Sequence, residues 1–141
     1  MRVIAGMATI PKRKSRLHEV VSSLRHQVDH LYVHMNYPPN ESSPECLDQR
    51  WITVTRGHDH GDVGKFVNLQ SLKETGERFY AFTCDDDIVY DREYVATMKG
   101  ALERYRGTAL VTIHGGVLPP FVSNFGRERD KFHFTESPPR D

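Results

Sequence analysis

Three scarcities narrow what this chain can be. It has only two cysteines, Cys46 and Cys84, far apart and without metal-type spacing, so neither a disulfide framework nor a cysteine-rich zinc site is encoded. Its 19 Lys and Arg balance 19 Asp and Glu, so no global field recruits nucleic acid or an anionic membrane, and any pull on an anion must be local. No apolar run reaches membrane-spanning length, and Met1-Arg2 leads directly into Val3–Ala8, too short and wrongly followed for a signal peptide. These features predict a cytoplasmic protein with no membrane span and no nucleic-acid partner. At 141 residues and 38% hydrophobic content, one domain is expected, with a regular part over about 1–114 and an irregular segment over 115–141.

What is present alternates between strand and helix signals. Residues 2–8 are small and apolar on both faces, as in the middle of a parallel sheet. After Thr9-Ile10-Pro11-Lys12-Arg13-Lys14, Ser15 can cap a helix carrying Leu17, Val20, Val21, Leu24 and Val28 at helical spacing. Leu31–Met35 and Trp51–Thr55 read as further strands. Asp62 is placed to cap a helix whose inner face would hold Val63, Phe66, Leu69 and Leu72. Phe79–Cys84 returns as a strand, Asp91 can cap a third helix, and Ala109–Ile113 reads as a fifth strand. The order predicts an α/β fold: an open, mostly parallel sheet with helices on both faces and right-handed crossovers. Ligands on such sheets bind beyond the carboxyl ends of the strands.

At those ends lie the residues with chemistry. Asp85-Asp86-Asp87 follows directly on an apolar strand. In an extended segment Asp85 and Asp87 would project together and Asp86 the other way, offering hard oxygen ligands suited to Mn²⁺ or Mg²⁺ with room for a phosphate oxygen. The bland reading is a solvated turn, which Asp favours on local grounds. Lys12, Arg13, Lys14 and Arg16 crowd a helix start, where cations oppose the macrodipole unless an anion visits. Lys65, behind Gly61 and Gly64, repeats the arrangement. His114 and His133 could reach a cleft, though such histidines are more often structural. His58-x-His60-x-Asp62 also resembles the start of the zinc site in metallo-β-lactamase-like hydrolases, but that family places a further His where Val63 stands.

Taken together, Met7–Arg13, Gln27-Val28-Asp29, Asn36, Gly61–Phe66 and Phe82–Tyr90 resemble a glycosyltransferase of the family 2 type over nearly the whole chain. The resemblance implies a Rossmann-like GT-A nucleotide-sugar-binding half and transfer of a sugar from a nucleotide diphosphate sugar to an unidentified glycan, lipid or protein acceptor. Thr9, Pro11 and Arg13 would line the base and diphosphate side of the donor pocket, with Asn36, Asp62 and Lys65 continuing it. Asp85 and Asp86 would face the ribose or sugar, and Asp87, with Asp85, would hold Mn²⁺ or Mg²⁺. Similar enzymes continue past the segment matching Lys131–Phe134 into a part that shapes the acceptor site and supplies a base. Glu128, Asp130 and Glu136 lie in that region outside any recognisable base motif, so no base is assigned. The alternative is a non-catalytic nucleotide-sugar-binding or interaction module left by truncation, with self-association through surface the missing part would cover.

Overall fold

A computed structural model describes residues 1–38, 40–117 and 130–133, with side chains through residue 113. The chain divides into two compact units, Met1–Thr97 and Met98–Asp141.

The first unit is built on β1 (Arg2–Thr9), β2 (His30–Met35), β3 (Ile52–Arg56) and β4 (Phe79–Cys84), hydrogen-bonded in the order β3-β2-β1-β4. Every pairing is parallel: Met7 lies opposite Val33 on one side and Cys84 on the other, and Val33 lies opposite Val54. The fold is therefore α/β with an all-parallel four-stranded sheet. β1 has a neighbour on each side and Ile4, Ala5, Gly6 and Met7 are all buried, which explains why its sequence is apolar without alternation.

The two faces of β1 are covered by different elements. A Cβ on Gly6 would strike the Lys65 carbonyl oxygen and the Leu69 side chain, and one on Gly64 would come within 3.1 Å of the Ala8 Cβ. The even-numbered side of β1 thus faces the segment leading into α2 (Val67–Lys73), and the odd-numbered residues Ala5 and Met7 are buried on the other side. The strand order reverses direction between β3 and β4, so right-handed crossovers put α1 (Lys14–Leu24) on that opposite face. Leu17, Val20, Val21 and Leu24 form its buried stripe. Past its end, Gln27 Nε2 donates to the Ser23 and Asp91 carbonyls, and the Asp29 carboxylate accepts the Val3 N–H at 2.7 Å, closing the start of β1.

Two expectations are corrected in the loops. Gly61–Phe66 is a 3-10 turn and the α-helix begins only at Val67, so Asp62 is not its cap, and Val63 and Phe66 are 66% and 52% exposed instead of facing inward. Three residues per turn replace 3.6 there, and the apolar spacing loses its meaning. Ala109–Ile113 is not a strand: among the described residues no ladder partner meets it, and Leu110 is fully exposed, so β propensity without pairing does not hold it extended in a sheet. Asp91 does act before a helix. Its Oδ1 accepts the Glu93 N–H at 2.9 Å, one residue ahead of α3 (Tyr94–Arg104), which begins in the first unit and continues in the second.

In the second unit, β5 (His114–Val117) pairs antiparallel with β6 (Asp130–His133), His114 opposite His133. Among the described residues no helix is long and apolar enough to cross a membrane.

Candidate functional site

The carboxyl ends of β1, β2 and β4 open into a cleft of about 200 Å³ within the first unit. Its wall comprises Ala8, Thr9, Ile10, Arg13, Asn36, Gly61, Asp62, Lys65, Asp85 and Asp86. Most of the candidate donor-binding residues are thereby brought together. Pro11 and Asp87 do not line it; Asp87 stands beside it, its Oδ2 3.3 Å from Arg13 Nη1.

Lys65 reaches the cleft because two glycines lower its segment onto the sheet. A Cβ on Gly6 would collide with the Lys65 carbonyl and one on Gly64 would crowd Ala8 and His34, and the 3-10 turn aligns Asp62 with Lys65, three residues apart, at 2.7 Å. The Lys65 ammonium also bonds the Asp85 carboxylate. Burial acts to lower the Lys65 pKa, but the hydrogen bonds and charges of Asp62 and Asp85 outweigh it, so the net shift is upward and the side chain stays cationic.

Arg13 supplies the second cation. Its Nη1 is 2.5 Å from Asp86 Oδ1, and the guanidinium pKa is raised first by that hydrogen bond and then by the charges of Asp86 and Asp87. Asp86 is 2% exposed while Arg13 is 46% exposed at its side chain, so the carboxylate is the fixed partner and the guanidinium the movable one.

The acidic turn is itself anchored. The Asp85 N–H donates to the Tyr90 hydroxyl at 2.7 Å, and the Tyr90 N–H donates to Ser23 Oγ on α1 at 3.1 Å. Burial pushes the Tyr90 hydroxyl pKa well up, keeping it neutral. β4 ends at Cys84, so the period-two alternation predicted for the acids does not extend to them. Asp86 and Asp87 share Arg13, and Asp85 turns to Lys65.

The remaining wall is held by β2. Asn36 Nδ2 donates to the Gly61 carbonyl at 2.9 Å, and its Oδ1 accepts the His60 N–H at 3.1 Å. Buried His34 continues the clamp. Its Nε2 lies 3.1 Å from the His58 carbonyl, which can only accept, so Nε2 carries the proton and Nδ1 accepts from the Thr55 hydroxyl, which in turn accepts from Asn68 Nδ2. The sequence gives His34 only a weak signal, a second histidine near the carboxyl end of a largely apolar strand.

The three residues of the zinc-type set are not gathered around a common point. Among the described residues no group of three or more His, Cys, Asp or Glu side chains is placed to hold a metal. His58 and His60 meet edge to face with ring centres 5.4 Å apart, but Asp62 is turned to Lys65. The roles considered for His114, His133, Glu128, Asp130 and Glu136 fall on side chains outside the described residues.

No protein-family model and no curated protein matches this chain. The site's chemistry therefore rests on its geometry and on the motif resemblance alone.

Proposed function

We propose that this chain binds a nucleotide diphosphate sugar in the cleft and transfers the sugar to an acceptor, as a glycosyltransferase. The observation that carries this reading is the meeting of Arg13 and Lys65, from opposite sides, with Asp85 and Asp86 at the carboxyl ends of parallel strands. Two cations converging on one cleft fit a diphosphate, which offers charge-assisted acceptors to both. In the ligand-free protein the nearby carboxylates occupy them.

Asp85 and Asp87 fit a divalent cation by the chemistry of their donors. Both carry hard carboxylate oxygens, and both side chains are 43% exposed, reachable beside the cleft. They would hold Mn²⁺ or Mg²⁺, which when bound would neutralise charge on the departing nucleoside diphosphate. Arg13 and Lys65 would orient the phosphates. Asn36 and His34 would fix the loop that carries Lys65, so that its ammonium stays directed into the cleft.

Calorimetric titration of UDP and GDP, with Mn²⁺ and with EDTA, tests the reading in wild type and Lys65→Met. Because Lys65 pairs with carboxylates that are partly or largely exposed, its loss should cost about 1 kcal/mol of stability or less. Nucleotide affinity should fall by about tenfold or more, the scale of one charge-assisted contact. Wild type that binds neither nucleotide under either condition sinks the proposal.

A further inference from the structure

Each cation of the cleft is shared by two carboxylates, and the sharing follows one pattern on both sides. Lys65 Nζ meets Asp62 at 2.7 Å and also bonds Asp85. Arg13 Nη1 meets Asp86 at 2.5 Å and Asp87 at 3.3 Å. In each set one carboxylate, Asp85 or Asp87, is a proposed metal ligand, and the other, Asp62 or Asp86, is not. The two residues proposed to hold Mn²⁺ or Mg²⁺ are therefore ones that the phosphate-binding cations hold in the ligand-free protein. A carboxylate lying against an ammonium or guanidinium is a poorer metal ligand, because the incoming ion must displace that cation or sit beside it against like charge.

The spare carboxylates make an exchange possible. Burial disfavours the Lys65 charge, and Asp62 and Asp85 offset it, so the ammonium stays paired if it gives up Asp85 and keeps Asp62. Arg13 can likewise give up Asp87 and keep Asp86, which is buried and fixed.

We propose that Lys65 and Arg13 act as a latch on the metal site: they compete with the divalent cation for Asp85 and Asp87 until the phosphates of the nucleotide draw them off. This rests on the donor-site reading above and adds regulation to it. A phosphate offers each cation new charge-assisted acceptors, and the two carboxylates it frees then hold the metal more tightly. Coupling between two ligands is reciprocal, so Asp85 and Asp87, once taken by the metal, leave Lys65 and Arg13 freer for phosphate by the same factor. The latch has a sign that direct contact between metal and phosphate lacks. With no nucleotide present, removing Lys65 tightens metal binding. Asp62 also takes a part without touching the metal, since in its absence Lys65 has only Asp85 to turn to.

The electron paramagnetic resonance of free Mn²⁺ measures metal binding to nucleotide-free wild type, Lys65→Met, Asp62→Asn and the double variant. UDP and GDP are titrated into wild type with Mn²⁺ alongside. Lys65→Met should bind Mn²⁺ about two- to fivefold more tightly than wild type, the range of a partly exposed ion pair. Asp62→Asn changes a side chain that is 83% exposed and should bind Mn²⁺ more weakly. That loss should vanish in the Lys65→Met background, where no ammonium remains to turn to Asp85. Unchanged or weaker Mn²⁺ binding in Lys65→Met overturns the latch. So does an Asp62→Asn loss that persists without Lys65, which would be an effect of the Asp62 charge itself. Unchanged Mn²⁺ binding in Asp62→Asn overturns it independently, whether or not Lys65→Met folds. Each of these results leaves the donor-site reading standing where wild type binds UDP or GDP. Wild type that binds nucleotide but no Mn²⁺ overturns the latch alone, and wild type that binds neither nucleotide overturns the donor-site reading and the latch with it.

Discussion

The body of the parallel sheet and its carboxyl rim are built to opposite rules from the same strands. In the body Ile4, Ala5, Met7, Leu31 and Val33 are buried, apolar and without polar side-chain atoms to satisfy. At the rim the buried side chains turn polar: Thr9, His34, Asn36 and Asp86 are the buried polar or charged residues of the described chain, and all lie in the last residues of β1 and β2 or just past β2 and β4. His34 and Asn36 are paired within the fold, whereas Thr9 and Asp86 each keep an unpartnered oxygen. The body maximises stability, and the rim gives some of it up where a ligand can approach. Residues that lower stability without serving packing are candidates for function, and here they stand at the carboxyl ends of the neighbouring strands β1 and β4.

The sharpest break of this contrast is a body substitution. Met7→Ala, at a site with no exposure between two strands, should cost about 2–5 kcal/mol. Chemical denaturation measures the loss; a cost under 1 kcal/mol would mean the body is not close-packed. Gly6→Ala lies where body meets rim. Its Cβ meets the Lys65 carbonyl, a backbone atom, so the 3-10 turn must shift. The expected cost is about 1–3 kcal/mol, together with weaker nucleotide binding, because the same movement displaces the Lys65 ammonium. Full binding in a destabilised Gly6→Ala protein would separate the two regions more completely than the geometry allows.

The smallest effect appears only in alkali. Cys84, the last residue of β4, is fully buried, and desolvation pushes its thiol up to about 12. Because the folded state holds this proton more tightly than the unfolded state, whose thiol has the ordinary value of 9.0, the contribution is complete below about pH 9. It is lost as pH rises toward 12. Melting temperatures of wild type and Cys84→Ala, followed from pH 8 to about pH 10.5, should converge as pH rises. A constant difference would show that the thiol's burial is not linked to its ionisation.

Much of the rim was legible because its residues sit next to strong local signals. Arg13 follows an apolar strand and a proline, Asp85 and Asp86 follow another strand, and the Gly61–Lys65 stretch is glycine-spaced ahead of a helix. His34 was not legible, since a histidine within a strand reads as structural until its ring is seen to hold the His58 carbonyl. The misplaced fifth strand and the inward-facing Val63 and Phe66 failed for a related reason. Local apolar content does not say whether a ladder partner is present or whether a turn takes three residues or 3.6.

By itself the amino-acid order determined the alternation of strand and helix, the continuous apolar character of β1, and the concentration of charge at the strand ends, because these follow from periodicity and chain-local chemistry. Only the tertiary structure decided which charges meet. Lys65 reaches Asp85 and Arg13 reaches Asp86 because β1 stands between β2 and β4 and because glycines at 6 and 64 let one backbone settle on another. Pairings between residues 20 and 73 positions apart depend on strand order and close approach, which no local pattern encodes.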